Sequence, residues 1–290
     1  MKTLRYSLCM DIGGTHISVA LIDKSTMTVV QNAYITHAVT SNSSKEVILR
    51  QWSGAISTTL LQAGQHPDQV VIAMPGPFDY KQGISLMDGM HKYQALLAMD
   101  VKGYFAELLQ IQKANIHFYN DAAAFLYGEV FAQNLQTSKV VGLSLGTGLG
   151  SACYESGIST DLNFGSAPFQ SGIAEDYIST RGIISSVAAR FQQHYPGVKE
   201  LLAVEVSPEI RQFSLAYLVD NLTLFLQQYI RNLQPDIIIL GGSIAKAHPL
   251  FLADLQQHFS VPIAPASFDP LNLFLGLTSF SQPFDSYEKQ

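Results

Sequence analysis

A glycine-bearing hairpin turn occurs twice in this chain, and it limits the available folds more than any other feature. The first copy reads Asp11-Ile-Gly-Gly-Thr-His-Ile-Ser-Val-Ala-Leu-Ile-Asp23, and the second Leu143-Ser-Leu-Gly-Thr-Gly-Leu-Gly-Ser-Ala-Cys-Tyr154. Each sets small residues and a threonine between two apolar strands. Glycine tolerates positive φ and leaves no Cβ in the way. Such a turn can come close to a phosphate and aim its N–H groups at it. One copy is weak, because any tight hairpin can need Gly-Gly. Two copies, each opening one half, point to a duplicated fold that grips a polyphosphate from both sides.

The remaining composition narrows the chemistry. A length of 290 residues leaves room for two lobes, and 47% hydrophobic residues suffice for two cores. The formal charge of −6 gives no electrostatic reason to expect nucleic acid or an anionic membrane as partner. Backbone amides, helped by a cation, must then hold any phosphate. The apolar start stops at Asp11 without a cleavage-like site, and no apolar run reaches the roughly 18 residues of a membrane span. The cytoplasm is the expected setting. Cys9 and Cys153 fall in apolar strands and read as reduced core residues. The eight histidines show no metal-ligand spacing, and His16 reads as a turn residue. Trp52 reads as helix packing. Neither a Gly-x-Ser-x-Gly elbow nor a Walker-type loop is present.

Periodicity predicts three strands over 6–36 and a helix over 45–63 that starts at Ser43 or Ser44 and ends at Gly64. Residues 70–74 predict a buried strand, 78–100 a long loop, 101–110 a helix and 116–119 another strand. A second half opens near Asn120 with a helix over 121–131. The second hairpin follows at 139–154, an irregular stretch at 155–176 and a helix over 181–194. Ser207-Pro208-Glu209 starts a helix whose buried face is Ile210, Phe213, Leu218, Leu222, Phe225 and Tyr229. A buried strand over 237–240 runs into Gly241-Gly242-Ser243, and a helix is expected over 250–259. Strands alternating with helices give an α/β architecture, divided at 1–119 and 120–290.

Asp121 is the candidate general base. It follows a buried strand, and α/β proteins place ligands at the carboxyl ends of strands. Asp is also a favoured helix N-cap, so a purely structural role competes. Asn120 offers a donor and an acceptor, which suits a polyol. Asp11 precedes the first turn, where a carboxylate beside a phosphate needs a cation between them, and Mg²⁺ satisfies both. Gly241 and Gly242 could let an adenine or ribose lie against the backbone, or could simply make a tight turn. Glu129 reads as a surface charge.

Five motifs occur in order: Asp-Ile-Gly-Gly-Thr at 11–15, Pro-Gly-Pro at 75–77, Asn-Asp-Ala-Ala-Ala at 120–124, Gly-Thr-Gly-Leu-Gly at 146–150 and Leu-Gly-Gly-Ser at 240–243. Together they resemble the ROK family of bacterial sugar kinases and repressors, within the actin-like ATPase superfamily. The resemblance implies two actin-like (ribonuclease H-like) lobes with an interlobe ATP and sugar cleft, the C-terminal helix packing back on the first lobe. It implies ATP-dependent phosphorylation of a hexose, at the 6-hydroxyl, with Asp121 accepting the hydroxyl proton. Gly13, Gly14, Thr15, Gly146, Thr147 and Gly148 would bind phosphates, Gly241 and Gly242 would flank the adenosine, and Asp11 would serve Mg²⁺. Asn120 and Gly76 would line the sugar site, and a homodimer is implied as well.

The chain also departs from the family pattern. Where most members carry Glu-x-Gly-His and then a cysteine-rich zinc motif ending in Gly-Cys-x-Glu, this chain has Asn163-Phe-Gly-Ser166 and then Ser171-Gly-Ile-Ala-Glu175. No structural zinc is expected. Glu175 matches the last sugar-binding glutamate. Asn163 and Ser166 replace a glutamate and a histidine on the sugar, and losing a charge-assisted hydrogen bond costs about 1.5–3 kcal/mol. His91, Lys92 and Tyr93 are polar candidates to rebuild that side. The rival reading is a non-catalytic sugar- or ATP-binding regulator. A DNA-binding repressor is not expected, because the first turn begins at Asp11 and leaves no room for a helix-turn-helix.

Overall fold

The computed structural model describes residues 4–89 and 92–280. Its framework is one sheet pattern used twice. In the first sheet β1 (Tyr6–Ile12), β2 (His16–Asp23), β3 (Thr28–Ala38), β4 (Gln69–Met74) and β5 (Ile116–Asn120) lie in the order β3-β2-β1-β4-β5. In the second β6 (Val140–Leu145), β7 (Leu149–Glu155), β8 (Ile158–Asp161), β9 (Ile237–Gly241) and β10 (Ile263–Pro265) lie in the order β8-β7-β6-β9-β10. Each begins as an antiparallel meander of three strands and finishes with two strands parallel to the first. The chain forms two compact units, one running to Ala124 and resuming at Leu271, the other Phe125–Pro270.

Helices cover the sheets because the central strands are buried on both faces. In the first unit α1 (Lys45–Ala63) packs on β2 and β3 and contributes Ile48, Trp52 and Ile56 to a core shared with Leu8, Met10 and Ile12. Ser44 precedes α1 without a side-chain cap, and Gly64 ends it at φ +60°. α2 (Val101–Leu109) adds Phe105, which stacks on Trp52 at 5.8 Å. Side chains alternate across a strand, so Cys9 faces away from Trp52. Its thiol lies 3.1 Å from the Thr278 hydroxyl, and burial pushes its pKa up to about 11.

α3 (Asp121–Ala132) leaves the first unit and enters the second. There α4 (Thr180–Phe191) and α5 (Pro208–Phe225) cover the sheet. The Ser207 hydroxyl accepts from Ile210 N–H as the cap of α5. Of the expected buried face Ile210, Leu218, Leu222 and Phe225 are buried, whereas Phe213 and Tyr229 are half-buried. α6 (Leu271–Phe280) returns to pack on β1 and β2.

Three expectations need correction. Residues 78–100 are not a free loop: Phe78–Asp79 pairs with Ile84–Ser85, and Ser85 donates its N–H to the Met99 carbonyl and accepts from Ala98 N–H. Residues 155–176 include β8 and a two-residue hairpin, Pro168–Phe169 with Gly172–Ile173. The helix expected over 250–259 is reduced to Leu252–Gln256, because Phe251 at φ −140° leaves the helical region. At its other end Gln256 turns its amide onto the Phe259 and Val261 carbonyls. None of the helices among the described residues is long and apolar enough to cross a membrane.

Candidate active site

In the first unit the candidate residues gather on one sheet edge for a topological reason. β1, β4 and β5 run parallel, with Asp11 opposite Ala73, and Met74 opposite Asn120. Their carboxyl ends therefore deliver Asp11, Gly76, Asn120 and Asp121 to the same side. The turn after β1 closes when Gly13 N–H donates to the His16 carbonyl at 2.9 Å. The N–H groups of Gly14 and Thr15 have no acceptor among the described residues. The glycines act here through space alone. Gly13 and Gly14 do not have positive φ, and neither do Gly146 and Gly148. A Cβ on Gly14 would meet nothing closer than the Ser41 hydroxyl at 3.9 Å and Lys92 Cδ at 4.0 Å.

Asn120 and Asp121 divide the work at the start of α3. Asn120 Oδ1 accepts from Ala122 N–H at 2.8 Å and Ala123 N–H at 3.2 Å, which makes Asn120 the helix cap. Asn120 Nδ2 donates to the Tyr80 hydroxyl at 3.2 Å, and that hydroxyl donates to the Met74 carbonyl at 3.1 Å. Tyr80 also stands 3.3 Å from where a Gly76 Cβ would be. Tyr80 thus orients Asn120 behind the Gly76 turn, a role with no sequence signal. Asp121 is exposed, and among the described residues its hydrogen-bond partner is Ala122 N–H at 2.9 Å. The competing cap role falls mainly to its neighbour.

Asp11 is partly buried, and burial pushes its carboxyl from 3.8 up to about 6. His16 opposes the rise and the nearby charge of Asp121 adds to it. Two acids so close favour a cation between or beside them, so this edge fits a divalent ion. Among the described residues no group of three or more His, Cys, Asp or Glu could hold a metal by itself. Phosphate oxygens and water would have to complete the shell around Mg²⁺.

The second unit builds its own cluster. Gly146 N–H donates to the Gly148 carbonyl at 3.0 Å, and Thr180 N–H donates to the Gly146 carbonyl at 2.8 Å, so the second turn sits at the start of α4. The N–H groups of Thr147 and Gly148 have no acceptor among the described residues. Glu175 Oε2 lies 3.0 Å from where a Gly148 Cβ would be, which explains glycine there. The Glu175 carboxylate is 3.8 Å from Arg181. Asn163 is exposed at φ +49°, with its N–H donating to Asp161 at 2.8 Å. The turn it opens, Phe164–Ser166, packs beside Ala174–Asp176, which carries Glu175. Gly241 and Gly242 are demanded by packing. A Cβ on Gly241 would lie 2.3 Å from the Phe125 ring, and one on Gly242, at φ +85°, 2.3 Å from the Leu145 carbonyl.

Of the loop candidates, Tyr93 is buried. Its hydroxyl donates to the Gly13 carbonyl at 2.5 Å, so it braces the first turn. Lys92 stands beside Gly14, and His91 lies outside the described residues. Glu129 is not a surface charge. It is 4% exposed and accepts from Ser267 N–H and hydroxyl, both at 2.8 Å, and from Gln133 at 2.9 Å. A lone acid in the uncharged, largely apolar run 122–132 is the available signal, since such a charge is buried only with partners.

Repetition of one five-stranded order, antiparallel then parallel, with a glycine turn after the first strand of each copy, defines two actin-like lobes. The sequence pattern of the ROK family matches residues 7–168, and the chain belongs to that family. A glucokinase from Thermotoga maritima is 26% identical over 293 residues, covering 89% of this chain and 88% of that protein. The structure of a ROK family glucokinase from Streptomyces griseus in complex with glucose and AMPPNP superposes with a TM-score of 0.70 at 18% identity, covering 94% of this chain and 98% of that one. A ROK family transcriptional regulator, a homologue of the E. coli MLC protein, superposes with a TM-score of 0.73 at 17% identity, covering 95% of this chain and 77% of that one. The fold is therefore shared by an enzyme and a regulator, and only the site residues can choose between them.

Proposed function

We propose that this chain is a sugar kinase that transfers the terminal phosphoryl group of ATP to a hexose hydroxyl, the 6-hydroxyl by family resemblance. The observation that carries this is Asp121: a carboxylate at the end of β5, exposed, released from capping by Asn120 and set beside Asp11. Asp121 takes the proton of the attacking hydroxyl as its oxygen bonds to phosphorus. The bond from phosphorus to the bridging oxygen breaks, and ADP leaves. Asn120, held by Tyr80, hydrogen-bonds the sugar with Gly76 beside it. The free amides of Gly14 and Thr15 bind phosphate oxygens in one lobe. Thr147 and Gly148 do so in the other, with Gly13 and Gly146 giving close approach. Mg²⁺, when bound, neutralises phosphate charge, and Asp11 is the residue that would hold it. Catalysis of this type is mostly positioning and electrostatics.

Gly241 and Gly242 serve the adenosine as a flat backbone surface. Glu175 and Asn163, on adjacent turns of the second unit, are the further sugar-binding residues that the family resemblance implies. The homodimer, implied by the family resemblance, and the cytoplasmic setting, the default of the sequence reading, belong to the same proposal. The test is ADP release from MgATP across a panel of hexoses and N-acetylhexosamines, with Asp121→Ala as control. Sugar-dependent turnover that the substitution abolishes supports the kinase and names its substrate. Sugar or ATP binding without turnover on any sugar supports the regulator, the reading that the exchanged Asn163 and Ser166 favour.

A further inference from the structure

The first phosphate turn has a cation beside it that no family motif supplies. Lys92 is half-buried, and its Cδ lies 4.0 Å from where a Gly14 Cβ would be. Its place is set by its neighbour. Tyr93, at φ +54°, donates its N–H to the Ser41 carbonyl at 2.7 Å and its hydroxyl to the Gly13 carbonyl. Its ring packs at 5.5 Å from Trp52 in the core. The backbone at 92 is thereby fastened to the turn from two sides. Among the described residues the Lys92 ammonium makes no ion pair or hydrogen bond, although the chain carries a net charge of −6 and Asp11 and Asp121 lie on the same sheet edge. A lysine with a packed stem and an unpaired head keeps that head in water or on an anion. Here the nearest structural feature is a turn with two unpaired N–H groups, which prefers an anion as well.

We propose that Lys92 is a phosphate-binding residue, its ammonium closing over the phosphoryl group seated on the amides of Gly14 and Thr15. This rests on the kinase reading for its role in turnover, but not for the binding itself. A point-charge ammonium with three rotatable donors suits a phosphate that gains and loses partners as the reaction proceeds. The assignment also answers the charge problem of this edge. Asp11 and Asp121 both repel a polyphosphate, and one Mg²⁺ shared with Asp11 leaves Asp121 uncompensated. A cation beside Gly14 offsets that repulsion.

The test is calorimetric titration of MgATP into the full chain without sugar, comparing the wild type with Lys92→Met and Lys92→Arg. Methionine keeps the packed stem and removes the charge, so a folding defect is not expected, and thermal melting checks it. The expected result is affinity weakened tenfold or more in Lys92→Met and less than threefold in Lys92→Arg. With an active sugar in hand, kcat/KM for MgATP falls by at least tenfold in Lys92→Met, while KM for the sugar stays within twofold. Unchanged MgATP affinity in Lys92→Met overturns the proposal, as does a tenfold rise in sugar KM alone, which would move Lys92 to the sugar. A wild type that binds MgATP but phosphorylates no sugar removes the kinase reading and leaves the binding comparison decisive. A wild type that binds no MgATP overturns the assignment outright.

Discussion

The two lobes repeat one sheet, yet only one of them carries carboxylates at the carboxyl ends of its parallel strands. In the first, the residue two before the turn is Asp11, and β5 ends in Asn120 and then Asp121. In the second, the residue two before the turn is Ser144, and β10 ends in Pro265 and then Ala266. The glycines differ as well. Gly14 faces open space beside Lys92 and Ser41, whereas Gly242 is wedged at positive φ against Leu145. The duplicated scaffold thus presents unpaired turn amides in both copies and carboxylates at the parallel-strand ends of one.

The largest test of that asymmetry is Asp121→Asn. Turnover should fall by about 10²–10⁴-fold, the range of a positioned general base, with an unchanged circular dichroism spectrum because Asn120 still caps α3. Near-normal turnover in folded protein would break the comparison at its centre. Next comes a glycine pair. Gly242→Ala should cost about 2–4 kcal/mol in urea unfolding, from positive φ and contact with a backbone carbonyl. Gly14→Ala should cost under about 1 kcal/mol, because Gly14 does not need positive φ, while weakening MgATP binding. Equal stability losses would mean that both turns need glycine for the same reason.

Glu129→Ala removes the buried acceptor of the Ser267 N–H and hydroxyl and of the Gln133 amide. Unfolding free energy should drop by about 1–3 kcal/mol, and a loss under about 0.5 kcal/mol would show that water replaces the carboxylate. The last test is the pH dependence of Asp11. Its folded pKa, about 6, stands above the usual 3.8, so the fold favours the protonated form. Its contribution is complete below pH 3.8 and is lost as pH rises through 6. Asp11→Asn stays neutral, so it should be more stable than the wild type above pH 6, by up to about 3 kcal/mol, and equal to it near pH 4. Magnesium chloride at pH 7 should raise the melting temperature of the wild type and not of Asp11→Asn. A common response would remove Asp11 from the metal site.

Much of the framework was legible because it depends on local chemistry. Alternation along 17–22 and 27–30 marked β2 and β3, Ser207-Pro208-Glu209 marked the start of α5, and the repeated turns marked the duplication. The short pairings inside 78–100 and 155–176 were not legible, because strands of two to four residues leave no periodic signal and are held by partners outside their own run, such as Met99 and Ala152. Glu129 was misread for a related reason. Its three donors come from Gln133 and from Ser267, 138 residues away.

At the site the division is sharper. By itself the chain determined which residue types stand at the ends of its strands: Asp11 before a glycine turn, Asn120 and Asp121 before a helix, Gly241 and Gly242 after a buried strand. Residue type and local spacing suffice for that, since turns and caps are short-range structures. Tertiary structure alone decided which of the adjacent pair caps α3 and which stays free, that Gly241 answers to the Phe125 ring, and that Lys92 lies beside Gly14. Those outcomes depend on the parallel register of β1, β4 and β5 and on side-chain packing across many residues of sequence, where local periodicity carries no information about who will be neighbours.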